Sequence, residues 1–300
     1  MTETIKLAGL IPPMITPITE SGAVDTAGIE RLVNYMIDGG VSGIFVLGSS
    51  GEGPWLTPEQ CQTVIEQTAK TANGRVPVLA GVIEPSTGRA VAAAKRAADA
   101  GADVIVAASP YYFVAQGAAQ VAHFETVAAN SSLPVVIYNI PPTTHNPIGP
   151  DTIQALLGIE SIIGVKDSAG DWEQFTSLLA LRDERPGFVV VQGAERMAAQ
   201  SILAGADGVV AGLGNLAPRL FVDIIARAQA GDAEAALALQ DRANKLWELH
   251  TNGYWLVCLK YAGSLLGFGS GKTCYLIDSL PEQAKSTIQN LVARYGDGGK

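Results

Sequence analysis

The chain has 300 residues, 48% hydrophobic and 16% charged, enough to bury a large core in one big domain or in a barrel with an appendage. A net charge of −9 with no basic cluster excludes a surface built to neutralise nucleic-acid phosphates. Cys61, Cys258 and Cys274 are too far apart for a C-x-x-C site and fit a reducing cytoplasm, and His123, His145 and His250 form no H-x-x-x-H zinc pattern.

The opening MTETIKLAGL lacks the charged-then-apolar layout of a signal peptide. From there short apolar runs alternate with amphipathic ones. Strands are predicted over LIPPMI (10–15), GIFVLG (43–48), VPVLAGV (76–82), DVIVAAS (103–109), PVVIYNI (134–140), SIIGVK (161–166), FVVVQG (188–193) and GVVAGL (208–213). Helical spacing fills 25–38, 57–73, 87–99, 117–130, 150–157, 171–183 and 195–204, several of them opening on a capping residue such as Asp25, Thr57 or Asp171. Met197 to Pro218 carries one charge, Asp207, but its glycines and β-branched cluster read as a buried helix plus strand rather than a membrane span.

The joints repeat. GGVSGIFV, AGADVIVA and AGADGVVA each close a helix with glycine, which suits the left-handed position, and then enter a β-branched strand. Near-continuous apolar strands belong to a parallel sheet covered on both faces. Eight βα units in about 225 residues predict a (β/α)₈ TIM barrel over 1–225, with an open doubly wound sheet as the rival. The pattern after that is only helical, at 231–250, 253–266 and 281–295, and predicts a C-terminal helical extension over 226–300.

Chemistry in such a barrel sits where strands end and loops begin. The second strand ends in GSSGE (Gly48 to Glu52), the fourth in SPYY (Ser109 to Tyr112) and the fifth in YNIP, starting at Tyr138. The sixth ends on Lys166, the seventh on QGAE (Gln192 to Glu195) and the eighth on GLGN (Gly212 to Asn215). A free lysine is neutral in only about one molecule in a thousand near neutral pH. Desolvation on a barrel floor would lower its pKa and free the amine as a nucleophile toward a ketone. The other reading is a lysine paired with a buried carboxylate or reaching out to solvent. Tyr138, on the adjacent strand, could relay protons to such an adduct, and GSSGE offers backbone N–H groups and hydroxyls as a nest for a carboxylate.

GSSGE, YNIP from Tyr138 and GVKDS (Gly164 to Ser168), in that order and spacing, resemble the dihydrodipicolinate synthase / N-acetylneuraminate lyase family. The likeness runs along the whole chain, including Thr16-Pro17, PYY ending at Tyr112, and GVVAGLGN from Gly208 to Asn215. It implies a (β/α)₈ barrel with a helical extension, a homo-oligomer (tetramer or dimer), and class I aldolase chemistry on pyruvate or another small 2-oxo acid. No metal or cofactor is implied, and no nucleic-acid or membrane partner. By position, Lys166 is the Schiff-base lysine and Tyr138 the proton-handling phenol. Ser49 links that tyrosine to a second one, Tyr112, commonly lent across a subunit interface. Ser49, Ser50 and Gly51 hold the 2-oxo acid carboxylate, and the Val210 carbonyl lies near the substrate.

The chain departs from the family in one informative place. Members that make the lysine-pathway intermediate carry an arginine soon after Y-N-x-P, where this chain has Thr143, and threonine cannot replace a bidentate fork. Ala194, Glu195 and Arg196 only half match the acidic residues of sialic acid lyases, whereas KDSAGD (Lys166 to Asp171) resembles the branch acting on 2-keto-3-deoxy sugar acids. The expectation is a Schiff-base lyase, aldolase or dehydratase, on such a sugar acid. Thr143, Thr144, His145 and Asn146 are expected to meet its hydroxyls. The alternatives are 4-hydroxy-tetrahydrodipicolinate synthase and a non-catalytic binding barrel. GFGSGKT (267–273) echoes a phosphate loop, but position 266 is leucine and no strand precedes it, so a turn between helices is expected.

Overall fold

Runs of valine and isoleucine too short for helices become eight parallel strands of one sheet in the computed structural model, which describes residues 7–274 and 279–297. In chain order they are β1 (Gly9–Leu10), β2 (Ile44–Val46), β3 (Val78–Gly81), β4 (Val104–Ala108), β5 (Val135–Asn139), β6 (Ile162–Asp167), β7 (Val189–Gln192) and β8 (Gly208–Val209). From β2 to β8 each strand pairs with its sequence neighbour, and β1 pairs with β8. The ring closes between β1 and β2 through a parallel bridge at Pro13 and Phe45. There the Phe45 N–H donates to the Pro12 carbonyl (3.0 Å) and the Met14 N–H to the Phe45 carbonyl (2.8 Å). The fold is the expected TIM barrel with a C-terminal helical part. The first strand is shorter than the expected 10–15, because Pro12 and Pro13 have no N–H to donate to a ladder.

The connecting helices begin as their caps require. Asp25, Thr57 and Asp171 each accept a backbone N–H of the first turn of α1 (Thr26–Asp38), α2 (Pro58–Ala72) and the later helix Trp172–Ala180. Gly40, Gly101 and Gly205 at the repeated joints have φ of 87°, 90° and 98°, the left-handed region expected of them. The expected helix at 195–204 is a 3₁₀ turn, Glu195–Met197, followed by Ala198–Leu203. The last barrel helix, Pro218–Gln229, runs past residue 225, where the extension was expected to begin. The extension is built of Ala233–Trp247, Trp255–Leu265 and Glu282–Tyr295. Residues 1–6 of the expected barrel span, and 275–278 and 298–300 of the expected extension, lie outside the described residues. Among the described residues no helix is long and apolar enough to cross a membrane. Segment 267–273 is a turn after a helix, held down by the Ser270 N–H on the Ile18 carbonyl (2.9 Å), with Lys272 paired to Glu20.

Side chains pointing into the barrel, among them Ile11, Phe45, Leu79, Val106, Val136 and Val191, form an apolar cluster separate from the larger layer between sheet and helices. Strand β6 reaches this interior through an irregularity. Val135 pairs with Ile162 but Val136 with Gly164, so Ile163 is bulged out of the ladder. From there Tyr138 lies opposite Lys166 and Asn139 opposite Asp167. A one-residue slip would turn Lys166 out of the barrel, so the bulge decides which face it serves. Gly164 permits the close approach, since a side chain there would meet the Val189 carbonyl at 2.5 Å.

The loop after β2 turns sharply. Leu47 and Glu52, neither of them glycine, both have φ of 60°. Such backbone persists only where surroundings over-determine it. Leu47 is locked in the core, and a side chain at Gly53 would lie 2.1 Å from its carbonyl oxygen. Glu52 is wholly buried and pairs with Lys260 of the extension, which also donates to the Thr16 carbonyl (2.8 Å), while the Cys274 N–H donates to the other Glu52 oxygen (2.6 Å). Burial pulls the Lys260 ammonium below its ordinary pKa, against the opposing charge of Glu52.

Breaking one half of this pair strands a buried charge, which costs about 3–5 kcal/mol. Lys260→Ala should therefore lower unfolding free energy by roughly that amount in urea titration. The double variant Glu52→Gln with Lys260→Met should lose clearly less than the sum of the two single changes. Additive losses would show that the ion pair does not hold the loop.

Candidate active site

Tyr138 and Lys166 occupy neighbouring positions on β5 and β6 and share a cavity of about 390 Å³ at the ends of the strands. Its wall includes Ser49, Ser50, Ser168 and Val210 from the barrel loops. Lys166 is 4% exposed, and its Nζ sits 3.9 Å from the centre of the Tyr138 ring and 4.7 Å from that of Phe45. Among the described residues no carboxylate pairs with it within 4.0 Å. Burial lowers its pKa to about 7, with the nearby charge of Glu195 pulling the other way. Of the two readings left open by the sequence, the geometry favours the desolvated amine.

The Tyr138 hydroxyl keeps its proton. Burial pushes its pKa up to about 12, opposed by hydrogen bonds with the Ser49 and Ser168 side chains. A protonated phenol linked to two hydroxyls can pass protons along a chain without itself becoming an anion. Asp167 points away from the cavity. Its Oδ1 accepts from Asn139 (2.6 Å) and Gln174 (3.0 Å), which ties the strand ends to the helix behind them. Burial raises the pKa of this carboxyl.

The other expected site residues divide. Val210, 4% exposed, lines the cavity, and its N–H donates to the Gln192 carbonyl (2.7 Å). Gly51 stands behind the wall, where its carbonyl accepts the Thr16 hydroxyl (2.6 Å). Tyr112 does not meet Ser49 within one chain. It is 78% exposed and packs edge-on against Phe113, with Val114 equally bare. Its neighbour Tyr111 lines a second cavity of about 210 Å³, which shares Ser49 and Ile140 with the first and is bordered by Thr143 and Thr144. Asn146, expected to meet substrate hydroxyls, is committed elsewhere. Its amide donates to the Pro110 (2.6 Å) and Phe113 (3.0 Å) carbonyls and accepts from the Ala115 N–H (3.0 Å). His145 lines neither cavity.

Sequence reasoning missed the outer wall. Trp247, His250, Trp255 and Leu259 reach over the cavity from the extension, and Glu195 and Arg196 meet them from the loop after β7. The only signal was three aromatic rings within nine residues of an otherwise helical stretch. The lining is mostly apolar, with a line of hydroxyls near the lysine and a charged rim. This arrangement can take a small oxo acid, attack its ketone with a neutral amine, and move protons beside the adduct.

A parallel barrel with such a lysine at a strand end, and the relatives below, define an enzyme: a lyase of the class I aldolase type. The family model described as the dihydrodipicolinate synthetase family matches residues 6–294, and the chain belongs to that family. An uncharacterised DapA-like lyase of Halobacterium salinarum is 32% identical over 294 residues, 98% of this chain and 96% of that one. A 4-hydroxy-tetrahydrodipicolinate synthase of Xylella fastidiosa is 36% identical over 292 residues, 97% of this chain and 88% of that one. The structure of a prophage protein of the same family from E. coli K12, solved in complex with pyruvate, superposes with a TM-score of 0.91 at 28% identity, covering 96% of this chain and 98% of that one.

A lysine with its pKa near 7 should react with pyruvate at a rate that falls about tenfold per pH unit once the pH drops below that value. Glu195→Gln removes a charge that raises this pKa, so the midpoint should move down. Because the unfolded chain keeps this proton up to pH 10.5, folding stability should rise with pH between about 7 and 10.5 on account of Lys166. Lys166→Met should flatten that slope. A midpoint for borohydride trapping near 10 would show that the amine is not desolvated.

Proposed function

We propose that this protein is a Schiff-base-forming lyase, an aldolase or dehydratase, acting on a 2-oxo acid such as a 2-keto-3-deoxy sugar acid, with pyruvate as product or co-substrate. The observation that carries the reading is the buried Lys166 amine, without a carboxylate partner among the described residues, beside a protonated Tyr138. In this reading Lys166 attacks the ketone and Tyr138 relays protons through Ser49. Ser49, Ser50 and Gly51 receive the carboxylate, and the Val210 carbonyl borders the bound acid. Tyr112 completes the relay from a neighbouring copy, and its exposure together with Phe113 and Val114 is consistent with an oligomer, a tetramer or dimer. The barrel and the helical extension form its two domains, and it works in the cytoplasm.

The sugar-acid branch is supported by Thr143, whose place beside the second cavity offers a hydroxyl instead of an arginine. A charge-assisted hydrogen bond contributes about 1.5–3 kcal/mol, or roughly 10–150-fold in affinity for the carboxylate of aspartate semialdehyde. The second reading is 4-hydroxy-tetrahydrodipicolinate synthase. It is favoured by Arg196, a cation on the wall of the Lys166 cavity.

Borohydride with pyruvate should add a reduced pyruvyl group at Lys166, read by intact mass and peptide mapping. Wild-type turnover in Lys166→Ala would end the Schiff-base reading. Tyr138→Phe should lower turnover ~10²–10⁴-fold while the fold survives. Measured on one preparation, kcat/KM should favour a 2-keto-3-deoxy sugar acid over semialdehyde condensation. The reverse order would select the synthase.

A further inference from the structure

The loop after β2 carries two donors that the chain around it does not use. Ser50 lines the Lys166 cavity, and Gly51 follows it. Both residues are buried, yet among the described residues no backbone or side-chain acceptor meets either N–H. Buried N–H groups are nearly always paired, so two successive open ones suit a bound anion. Gly51 has the backbone freedom of any glycine. The direction of these donors therefore depends on what grips the residues around it.

Much of that grip comes from distant parts of the chain. The Gly51 carbonyl accepts the Thr16 hydroxyl (2.6 Å), and the Thr16 carbonyl accepts Lys260 Nζ (2.8 Å). Lys260 also pairs with Glu52, whose N–H turns back onto the Ser49 carbonyl (3.2 Å). The contacts close a ring from Gly51 through Thr16, Lys260 and Glu52, and one peptide bond completes it. Its side chains are sealed from water, with Thr16 0%, Glu52 1% and Lys260 2% exposed. Neither Thr16 nor Lys260 lines either cavity, so both reach a bound molecule only through the loop. The ring also acts on charge. A bare Glu52 carboxylate, one peptide from donors suited to an anion, would repel one, and the Lys260 ammonium cancels it in place.

We propose that Thr16, Glu52 and Lys260 are positioning residues for the carboxylate of the 2-oxo acid, so that the helical extension sets how tightly the barrel holds that group. The proposal rests on the Schiff-base reading above, in which Ser49, Ser50 and Gly51 receive the carboxylate. Thr16 pins the carbonyl side of Gly51. Glu52, anchored by Lys260, pins the peptide that follows. Together they aim the Ser50 and Gly51 N–H groups and keep their surroundings free of net negative charge. Helix Trp255–Leu265 then has two separate tasks. Trp255 and Leu259 wall the cavity, while Lys260 holds the carboxylate loop from behind. The ketone and the Lys166 amine are outside this arrangement, so its loss weakens the grip on the carboxylate and leaves the amine as reactive as before.

The test is borohydride trapping with two probes, pyruvate and methyl pyruvate, read by intact mass with the pH set well above the Lys166 titration. The ester keeps the ketone and loses the charge. Glu52→Gln combined with Lys260→Met removes both charges of the pair at similar volume. Its half-saturating pyruvate concentration should rise about tenfold or more, the worth of one charge-assisted hydrogen bond, while that for methyl pyruvate stays within about twofold of wild type. Thr16→Val touches neither charge and keeps the test alive if the double variant does not fold. It should raise the pyruvate value alone, by ~2–12-fold, the range for one neutral hydrogen bond. The rate at saturation and the pH midpoint of trapping should stay at their wild-type values in both variants. Equal losses on both probes would reduce the ring to a structural role and overturn the proposal, as would no loss on either. A wild type that holds the ester as tightly as the acid would overturn it too. No wild-type adduct with either probe removes the Schiff base and this proposal together, whereas adducts without the pyruvate-selective loss remove this proposal alone.

Discussion

Keeping an ammonium out of the barrel is the constraint from which the rest of the site follows. Lys166 is buried among rings and aliphatic side chains, where the charged form is poorly solvated. Its neighbours are arranged to leave that penalty uncompensated. The nearest strand partner is a phenol that keeps its proton, and the acid that follows in sequence, Asp167, faces the other side of the sheet and is occupied by Asn139 and Gln174. Glu195 stands far enough away to temper the shift without cancelling it. A carboxylate one strand closer would restore an ordinary ion pair and silence the amine.

The lysine needs the bulge, and the bulge needs a glycine. With Ile163 out of the ladder, β6 delivers Lys166 to the interior and Asp167 to the helices, and Gly164 makes room beside Val189. None of this could be read from alternation alone, since the run before Lys166 is apolar on both faces. The order of strands and helices was legible because each unit carries its own punctuation: capping residues at Asp25, Thr57 and Asp171, and glycines after the helices. The first strand was overestimated because an apolar run suggests a strand regardless of its missing N–H groups, and two prolines remove two of them.

The inner half of the site was legible for the same reason. Lys166, Tyr138 and the serines sit at strand ends, and the position of a strand end can be counted along the sequence. The outer half was not. Trp247, His250 and Trp255 belong to a helical segment whose packing direction depends on how it folds back over the barrel, and helical periodicity carries no record of that. Asn146 shows the opposite error. Its polar side chain sits near the right loops, yet three backbone groups of segment 110–115 already claim it.

The Glu52–Lys260 pair spans 208 residues of sequence. A ribosome delivers the strained loop, Tyr138 and Lys166 long before it delivers the cation that holds the loop. Until the extension emerges, Glu52 is a carboxylate without the Lys260 ammonium, and its left-handed backbone lacks the ion pair that pins it. A chain cut short in the extension would therefore not be a smaller working enzyme. It would be a barrel whose loop after β2 stays unlatched until synthesis of the helical segment is complete.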